Sequence, residues 1–369
     1  MYKVLVFGMT QNPGGVESFL MSYYRKINKS KIRFDFLCNT KEKIAYEDEI
    51  LSMGSRIFKI SARSKHPIRY KKELNDFFKK NASNYDCIWV NVNSLANIDY
   101  LKLAKRYGIK RRIIHSHNSQ NMDGKFRGLL HTHNKKIIAN YATDFWACSE
   151  SAANWFYDDK LISNAKIIKN AIDLSKVKFD PFKRKQIRKK YSLTNQLVLG
   201  NVGRLHFQKN QIFAIRVLNE MLKSKSNVKL VLIGDGPDRN MIKEKIDELK
   251  LEDSVVLAGV QNNVADWLSA FDIFIFPSVF EGLPIAGVEA EANGLPILAS
   301  TSINSSDLRI NPNLNYCDLK DGEKKWAQKI LNMSLKRVSQ EEIKNNFNEA
   351  GYNIDTEVKK LEKLLVENE

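Results

Sequence analysis

The feature that most constrains the fold is a regular alternation of short apolar runs with longer helical stretches, which continues through the whole 369-residue chain. Runs such as 86–92 and 272–276 have the length of buried strands, and stretches such as 68–80 and 95–107 have that of helices. Strands that alternate with helices build parallel sheets with helices packed on their faces. The pattern therefore predicts an α/β fold, and the lack of a repeat of 20–50 residues excludes a solenoid.

The chain is too long for one compact core of ordinary size, so two domains are expected. A charged, proline-interrupted segment at Asp180–Lys185 precedes a fresh first strand at Leu197–Gly203. We predict two doubly wound Rossmann-like domains, residues 1–175 and 176–350, facing across a cleft. The C-terminal helices are expected to pack back toward the first domain, with a last helix in 351–369 that can cross to it. Ligands of such sheets bind beyond the carboxyl ends of the strands.

Charge separates the two halves of the chain. The total is +17, but residues 1–170 carry 30 Lys and Arg against 15 Asp and Glu, and residues 171–369 carry 29 against 27. A one-sided basic field indicates an anionic partner: membrane lipid headgroups, a lipid-linked pyrophosphate or nucleic acid. The alternative is a solvated lysine-rich surface, which explains the nearly neutral second half poorly.

Other bulk features concern location. No apolar run approaches the roughly 18 residues of a membrane-spanning helix, and Val4–Met9 is too short for the core of a signal peptide. The four cysteines are widely spaced and predict reduced, mostly buried thiols rather than a disulfide framework. We therefore expect a cytoplasmic protein.

The first chemical cluster follows the strand that opens the second domain. Gly203 ends that strand, Arg204 comes next, and Lys209 lies five residues further on, where a helix begins. A glycine lets the backbone come close to a ligand, and two cations beside a helix N-terminus suit a diphosphate. Ordinary surface cations at a helix start are the alternative.

The second cluster follows the apolar strand that ends at Phe276 and leads into another helix. Two carboxylates stand eight positions apart, Glu281 in the loop and Glu289 within the helix. Carboxylates accept paired hydroxyl donors, as from a sugar or a ribose diol. Pro284 belongs at a first helical position. An acidic residue favoured by the helix dipole would account for Glu281 alone. Backbone N–H groups that can hold a hydroxyl or a phosphate oxygen belong to Gly282, Leu283 and Ile285.

These clusters resemble the retaining nucleotide-sugar glycosyltransferases of family 4, which have the GT-B fold. The resemblance covers essentially the whole chain and is strongest in the block from Glu281 to Glu289. Within the family, His115–Asn118 and Lys169–Asp173 look closest to bacterial capsule and exopolysaccharide transferases. Ala171 departs from the glycine common at that crossover and disfavours a positive φ there. Further matching segments are Gly203-Arg204, Lys209-Asn210, Asn12–Glu17 and Ile233–Pro237.

The resemblance implies a role for each matching position. Arg204 and Lys209 would hold the donor diphosphate, Glu289 the ribose, and Glu281 the transferring sugar on the face where the bond breaks. The backbone of Gly282, Leu283, Pro284 and Ile285 would bind sugar hydroxyls or phosphate. The remaining donor-site residues would be Gly234, Val260 near the base, and Gly14 and Gly15 on the opposite wall.

A pair of histidines follows the strand at Arg112–Ile114. The resemblance places one histidine beside the reacting sugar; His117 is the first choice and His115 the alternative. His131 and His133 raise a metal site as a further possibility, but no nearby carboxylate or cysteine completes a ligand set. No metal is predicted.

Together these features predict a metal-independent, retaining transfer from a nucleotide-diphosphate sugar, with no bound cofactor and with uridine as the expected nucleotide by resemblance. The acceptor would be a saccharide carried on a lipid at the inner membrane face, in cell-surface polysaccharide synthesis. The basic first domain would hold the protein there as a peripheral protein. The alternatives are an epimerase or hydrolase that acts on nucleotide sugars and a nucleic-acid-binding protein. Nucleic-acid binding is disfavoured because the sequence has no recognition motif and its basic stretches lack interleaved stacking aromatics.

Overall fold

A computed structural model describes residues 1–118, 124–281, 284–303 and 308–366. The chain divides into two compact units. The first domain comprises Met1–Ala171 together with Ile354–Glu369, and the second domain comprises Ile172–Asn353. The sequence boundaries of 175 and 350 lie within four residues of these divisions.

The first domain is built on a seven-stranded parallel sheet with the order β3-β2-β1-β4-β5-β6-β7. Its inner strands are nearly continuous apolar runs, as expected for a sheet covered on both faces. The central residues Val4–Val6 are fully buried. The strands are β1 Tyr2–Phe7, β2 Ile32–Cys38, β3 Ile57–Lys59, β4 Cys87–Val92, β5 Arg111–Ser116, β6 Asp144–Ala147 and β7 Lys166–Ile167.

Seven helices connect these strands among the described residues. They are α1 Gly15–Lys26, α2 Glu47–Ser52, α3 Pro67–Asn81, α4 Asp99–Arg106, α5 Lys125–Ile137, α6 Glu150–Phe156 and α7 Asp159–Ile162. The helix predicted over 95–107 begins only at Asp99. The reason is that the backbone of Leu95 is hydrogen-bonded to side chains of α5 and not within a helix. Its N–H donates to His131 Nδ1 at 3.0 Å, and its carbonyl accepts from Asn134 Nδ2 at 2.7 Å.

The second domain repeats the plan with six parallel strands in the order β10-β9-β8-β11-β12-β13. These strands are β8 Leu197–Val202, β9 Val228–Ile233, β10 Val255–Gly259, β11 Ile273–Phe276, β12 Ile297–Ser300 and β13 Leu314–Cys317. Its described helices are α8 Leu174–Val177, α9 Pro181–Lys190, α10 Gln211–Leu222, α11 Arg239–Glu248, α12 Val264–Ala270, α13 Ile285–Ala292, α14 Gly322–Leu331 and α15 Gln340–Glu349.

The last described helix, α16 (Ile354–Val366), packs in the first domain. Leu361 and Leu365 are buried in the core that also contains α1. Lys26 Nζ donates to Asp355 Oδ1 at 2.9 Å across this contact. Of the helices near the described C-terminus, α16 is the one that returns to the first domain, whereas α15 stays with the second.

The strand order determines where the polar loops that follow the strands lie. In each sheet the first strand lies between its successor in sequence and a later strand, so the connections diverge at β1/β4 and at β8/β11. Such a switch point opens a crevice at the carboxyl ends of the two strands. The predicted fold class of two doubly wound domains is confirmed. Within the described ranges, no helix combines the length and apolar character needed to cross a bilayer.

Candidate functional site

The loop after β8 is pressed against the loop after β9. Gly203 N donates to Ile233 O at 2.9 Å, and Leu205 N donates to Asp235 O at 3.1 Å. Gly234 has a φ of +131°, and a Cβ there would lie 2.0 Å from the Gly203 carbonyl oxygen. A side chain at 234 would therefore push the Gly203 loop away, so the predicted donor-site glycine has a packing role in the structure.

Lys209 and Glu281 form an ion pair at the β8/β11 switch point. Lys209 Nζ donates to Glu281 Oε1 at 2.7 Å and to Oε2 at 2.9 Å. The two side chains are only 17% and 3% exposed, so the pair is largely withdrawn from water. The structure thus brings together two of the four residues on which the predicted site depends.

Backbone and amide contacts hold the two loops that carry this pair. Val279 N donates to Gln208 O at 2.8 Å, and Gln208 Nε2 donates to Phe280 O at 3.1 Å. Asn210, in the left-handed region with φ 55°, caps α10 and donates from Nδ2 to Pro277 O at 3.2 Å. Asparagine tolerates this backbone conformation better than most residues. The position of Lys209 is therefore fixed from both sides along the chain.

Arg204 lies in the same loop but is exposed. Its carbonyl accepts from Gln211 Nε2 at 3.1 Å, which fixes its backbone. In the part of the chain that the structure describes, its guanidinium makes no hydrogen bond or ion pair with protein. The loop therefore carries one cation that is paired and one that is open to a ligand.

The segment that joins Glu281 to α13 is described only in part, because the predicted ligands Gly282 and Leu283 lie outside the described residues. Pro284 is the N-cap of α13, with φ −78° and ψ 51°, and the helix begins at Ile285. The prediction that Pro284 opens the helix is thus displaced by one residue, because its ψ is not helical. Its carbonyl still accepts the first helical bond, from Val288 N at 3.0 Å.

Glu289 lies on α13, half-buried. Burial raises the pKa of the Glu289 carboxyl to about 7. Its carboxylate oxygens accept no hydrogen bond from any of the described residues. A half-buried acceptor without a donor is suited to binding hydroxyl groups of a ligand, because an unmet carboxylate is costly.

Glu291, two positions further along α13, has a different role. It is fully buried and accepts from Ile310 N at 3.0 Å and Asn311 N at 2.5 Å. Burial raises the pKa of this carboxyl well above its usual range. Glu291 therefore anchors the chain at 310–311 to α13, a structural contact that separates it from Glu289.

Val260 follows Gly259, which has φ +69°, at the carboxyl end of β10. Its side chain is 72% exposed. Recognition of a base by the backbone near this residue stays a prediction.

In the first domain, Gly14 is the N-cap of α1 and Gly15 is its first residue. The preceding loop is held by Glu17, which is buried and accepts from Thr10 N at 3.1 Å and Thr10 Oγ1 at 2.5 Å. A Cβ on Gly14 would lie 2.9 Å from Glu17 Oε2. Glycine at 14 therefore leaves room for the carboxylate that shapes this loop.

His115 and His117 both lie buried at the end of β5, with ring centroids 4.1 Å apart. His117 Nε2 makes a 2.9 Å hydrogen bond to Asn91 Oδ1. Burial lowers the pKa of His117 to about 3 and that of His115 well below its usual range. Both rings are therefore neutral at physiological pH. Among the described residues, no group of three His, Cys, Asp or Glu side chains is placed to hold a metal.

Sequence reasoning missed several polar residues that shape the site. Gln211 is one, and Asn201, which donates from Nδ2 to Ile275 O at 2.9 Å, is another. Asn91 and Gln208 belong to the same group. The available signal was position alone: each is a polar residue near the end of a strand, in the segment that leads to the next helix, or at the start of that helix.

The chain is similar in sequence to several known proteins. The family model described as "Glycosyl transferases group 1" matches residues 183–354. "Putative glycosyltransferase EpsF" of Bacillus subtilis is 30% identical over 94% of this chain and 92% of its own length. "Capsular polysaccharide biosynthesis glycosyltransferase CapH" of Staphylococcus aureus is 26% identical over 89% and 90%.

Two further matches have more specific names. The Escherichia coli protein "UDP-Gal:alpha-D-GlcNAc-diphosphoundecaprenol alpha-1,3-galactosyltransferase" is 29% identical over 54% of each chain. The crystal structure of Anabaena HepE in complex with UDP and glucose superimposes with a TM-score of 0.77 at 17% identity, over 99% of each chain. The structural likeness bears on the fold alone.

Proposed function

The chain belongs to the group 1 glycosyl transferases, and from this premise we propose that it moves a sugar from a nucleotide-diphosphate donor to a saccharide acceptor with retention of configuration. The observation that carries the proposal is the arrangement at the β8/β11 switch point. A buried Lys209–Glu281 pair lies there in the loops that also carry the open cation of Arg204.

Arg204 and Lys209 are the proposed ligands of the diphosphate. An ammonium has three N–H donors, and Glu281 takes two of them from Lys209. The third remains for a phosphate oxygen, and the unpaired Arg204 guanidinium offers its planar fork to the same group. Lys209 is thus held in place by the Glu281 carboxylate, whereas the Arg204 side chain is free to move onto the ligand.

In the transfer, the bond between sugar C1 and the β-phosphate oxygen breaks, and its electron pair stays on the departing oxygen. The acceptor hydroxyl oxygen forms the new bond to C1, and its proton passes to the departing diphosphate. Fixed charge beside an oxygen that gains charge is usually the largest catalytic contribution. Glu281 would lie on the sugar side of Lys209 and stabilise positive charge that develops at C1.

Because Arg204, Lys209 and the N-terminus of α13 supply positive charge to the diphosphate, we propose that the reaction needs no divalent metal and no resident cofactor. On the nucleoside side, Glu289 would accept the ribose hydroxyls, and the backbone near Val260 would meet the base. The nucleotide is proposed to be uridine. Support comes from the HepE structure, a complex with UDP and glucose, and from the UDP-galactose in the name of the Escherichia coli relative.

The acceptor is proposed to be a saccharide on a lipid diphosphate, used in capsule or exopolysaccharide synthesis. The Escherichia coli relative is named for a diphosphoundecaprenol acceptor, and CapH for capsular polysaccharide biosynthesis. The first domain carries 33 Lys and Arg against 20 Asp and Glu, whereas the second carries 26 against 22. This excess would draw the first domain to an anionic membrane at the cytoplasmic face, as a peripheral protein.

Exposed apolar side chains in the first domain support the membrane proposal. Ile68 is 86% exposed on α3, beside the exposed Lys71 and Lys72. Phe126 and Leu129 are 73% and 70% exposed on α5. Apolar side chains among cations fit a lipid surface, where the chains enter the headgroup region and the charges meet the phosphates.

The test is a thermal-shift screen of nucleotide diphosphates, followed by transfer assays with sugar conjugates of the nucleotide that stabilises the protein. We expect UDP to raise the melting temperature with and without chelator, and the product anomer, measured by NMR, to match that of the donor. A protein stabilised by no nucleotide diphosphate, or an inverted product, would refute the proposal at the corresponding step.

A further inference from the structure

The buried contact between Asn91 and His117 joins the ends of two neighbouring strands of the first domain. Asn91 is near the end of β4, opposite His115 in the register with β5, and His117 lies just beyond β5. The backbone N–H of His117 donates to Val92 O at 3.1 Å. Both side chains are 2% exposed, so neither amide nor imidazole exchanges its partner with water.

The orientation of the Asn91 amide is dictated by backbone carbonyls. Its Nδ2 donates to Phe7 O at 3.2 Å and lies 3.4 Å from Trp89 O. If the amide were turned over, its oxygen would face two carbonyl oxygens, and a buried donor would be lost. The Nδ2 atom must therefore point toward Phe7 and Trp89, and the Oδ1 atom toward His117.

This orientation decides the state of the histidine. Asn91 Oδ1 has no proton to give, so the 2.9 Å hydrogen bond exists only if His117 Nε2 carries the hydrogen. We infer that Asn91 is a positioning residue that fixes His117 as the neutral imidazole protonated at Nε2, so that Nδ1 is a hydrogen-bond acceptor for a ligand hydroxyl. The Nδ1 atom is buried, and among the described residues it has no hydrogen-bond partner.

The surroundings of His117 keep it uncharged. On its own strand its neighbour is His115, itself a neutral buried imidazole. From α1 it meets Phe19, with ring centroids 4.8 Å apart, and the carboxylate of that helix, Glu17, is bound to Thr10 instead. From β4 it meets the uncharged Asn91. No carboxylate of these elements pairs with the ring, and burial lowers the pKa of His117 to about 3.

A close fit at Gly8 holds Asn91 in place. Gly8 has a φ of +143°, and a Cβ there would lie 2.8 Å from Asn91 Cβ and 2.9 Å from Asn91 O. The glycine loop at the end of β1 thus packs directly on the residue that orients the histidine. A side chain at position 8 would displace the amide.

The consequence for the reaction rests on the proposed function. With its Nε2–H bound to Asn91, His117 offers the buried Nδ1 as its acceptor, which suits a sugar hydroxyl, and no proton of the ring remains to give to a ligand. This separates the histidine from the acid role that an imidazolium could have. It also makes the histidine sensitive to Asn91 rather than to pH.

The tautomer is measured by two-bond ¹H–¹⁵N NMR of histidine-labelled protein at pH 7, with His117 assigned by comparison with His117→Gln. We expect a protonated Nε2 and an unprotonated Nδ1 in the wild-type protein. A ring protonated at Nδ1, or at both nitrogens, would overturn the inference. Because this measurement needs no turnover, it is independent of whether the protein transfers a sugar.

The role of Asn91 is tested with Asn91→Leu, which keeps the size but removes the acceptor. The His117 signals should shift toward a mixture of tautomers, and transfer should fall about tenfold, the effect of one lost hydrogen bond.

Asn134→Leu is the matched control, since it removes a buried amide that donates to the carbonyl of Leu95. Its His117 signals should remain those of the wild type. Unchanged His117 signals in Asn91→Leu would contradict the inference. If the Leu variant does not fold, the wild-type tautomer still decides it.

Discussion

The two domains share one architecture but use opposite chemistry at the carboxyl ends of their central strands. In the second domain the β8/β11 edge carries charged side chains: the Lys209–Glu281 pair and the unpaired Arg204. In the first domain the corresponding β1/β4 edge and the end of β5 carry neutral groups, chiefly Asn91 and His117. Fixed charge suits a diphosphate, and neutral hydrogen-bonding groups suit sugar hydroxyls, so one fold can serve two kinds of ligand.

The net charges of the two domains do not follow the chemistry of their sites. The first domain, whose site end is neutral, has a net charge of +13, and the second, whose site end is ionic, has +4. The difference teaches that the size of a domain's net charge and the chemistry of its site can be set separately.

The largest effect is expected for Lys209→Ala. Removal of a cation placed where charge develops typically costs about 100- to 1,000-fold in rate. The variant also removes the ammonium that pairs with the largely buried Glu281, so its melting temperature should fall. Lys225→Ala, at an exposed lysine of the same domain, is the control and should retain wild-type turnover in a transfer assay. Near-normal turnover in Lys209→Ala would show that Lys209 does not contribute to catalysis.

Glu281→Gln separates catalysis from donor binding. The substitution keeps the shape but removes the carboxylate, so turnover should fall about 100-fold. UDP affinity should stay equal to that of the wild type or increase, because a neutral amide oxygen competes with phosphate for the N–H donors of Lys209 less strongly than a carboxylate does. Titration calorimetry and single-turnover rates measure the two effects. A variant that loses UDP binding and turnover together would assign Glu281 to the nucleotide instead of the sugar.

How far the sequence could lead is clearest from this pair of residues. The block from Glu281 to Glu289 and the cations after β8 predicted the family, the fold and the candidate donor residues, because motif spacing fixes where a residue stands relative to a strand end. The resemblance to sugar transferases, including those of capsule synthesis, is confirmed. The sequence could not show that Lys209 and Glu281 bond directly while Arg204 stays open, since that depends on side chains 72 positions apart along the chain.

The first domain was less predictable for the same reason. His117 stood out as a histidine after a strand, but Asn91 did not, because an asparagine within an apolar strand gives no motif. Its importance comes from carbonyls of β1 and β4 that only the sheet register brings together. Likewise, His131 raised a metal site from its spacing, whereas in the fold it accepts from Leu95 N.

A smaller, pH-dependent effect is expected from Glu289. Burial raises the pKa of its carboxyl to about 7, and ribose hydroxyls that donate to the carboxylate would lower that pKa in the complex. Affinity should therefore rise with pH, by about tenfold between pH 6 and pH 8. Calorimetry with UDP across this range measures it. Glu289→Gln should retain only the part of the dependence that comes from the phosphate itself, and identical profiles for the two proteins would exclude the ribose contact.

The smallest effect concerns the surface charge of the first domain. A cation near an anionic bilayer contributes about 1 kcal/mol, or roughly fivefold in partitioning. Lys71→Ala with Lys72→Ala should reduce flotation with phosphatidylglycerol vesicles and weaken its salt dependence. The second-domain pair Lys225→Ala with Lys243→Ala should have little effect. Equal losses in both double variants, or binding that ignores salt and lipid charge, would contradict a membrane-facing first domain.

The most direct test of the central claim compares UDP with uridine, by titration and by displacement, in the wild type and in Arg204→Ala. If Arg204 binds the donor diphosphate, the variant should bind UDP at least about tenfold more weakly while its uridine affinity is unchanged. Equal weakening of both ligands, or of neither, would show that the open cation of the second domain does not hold the phosphates.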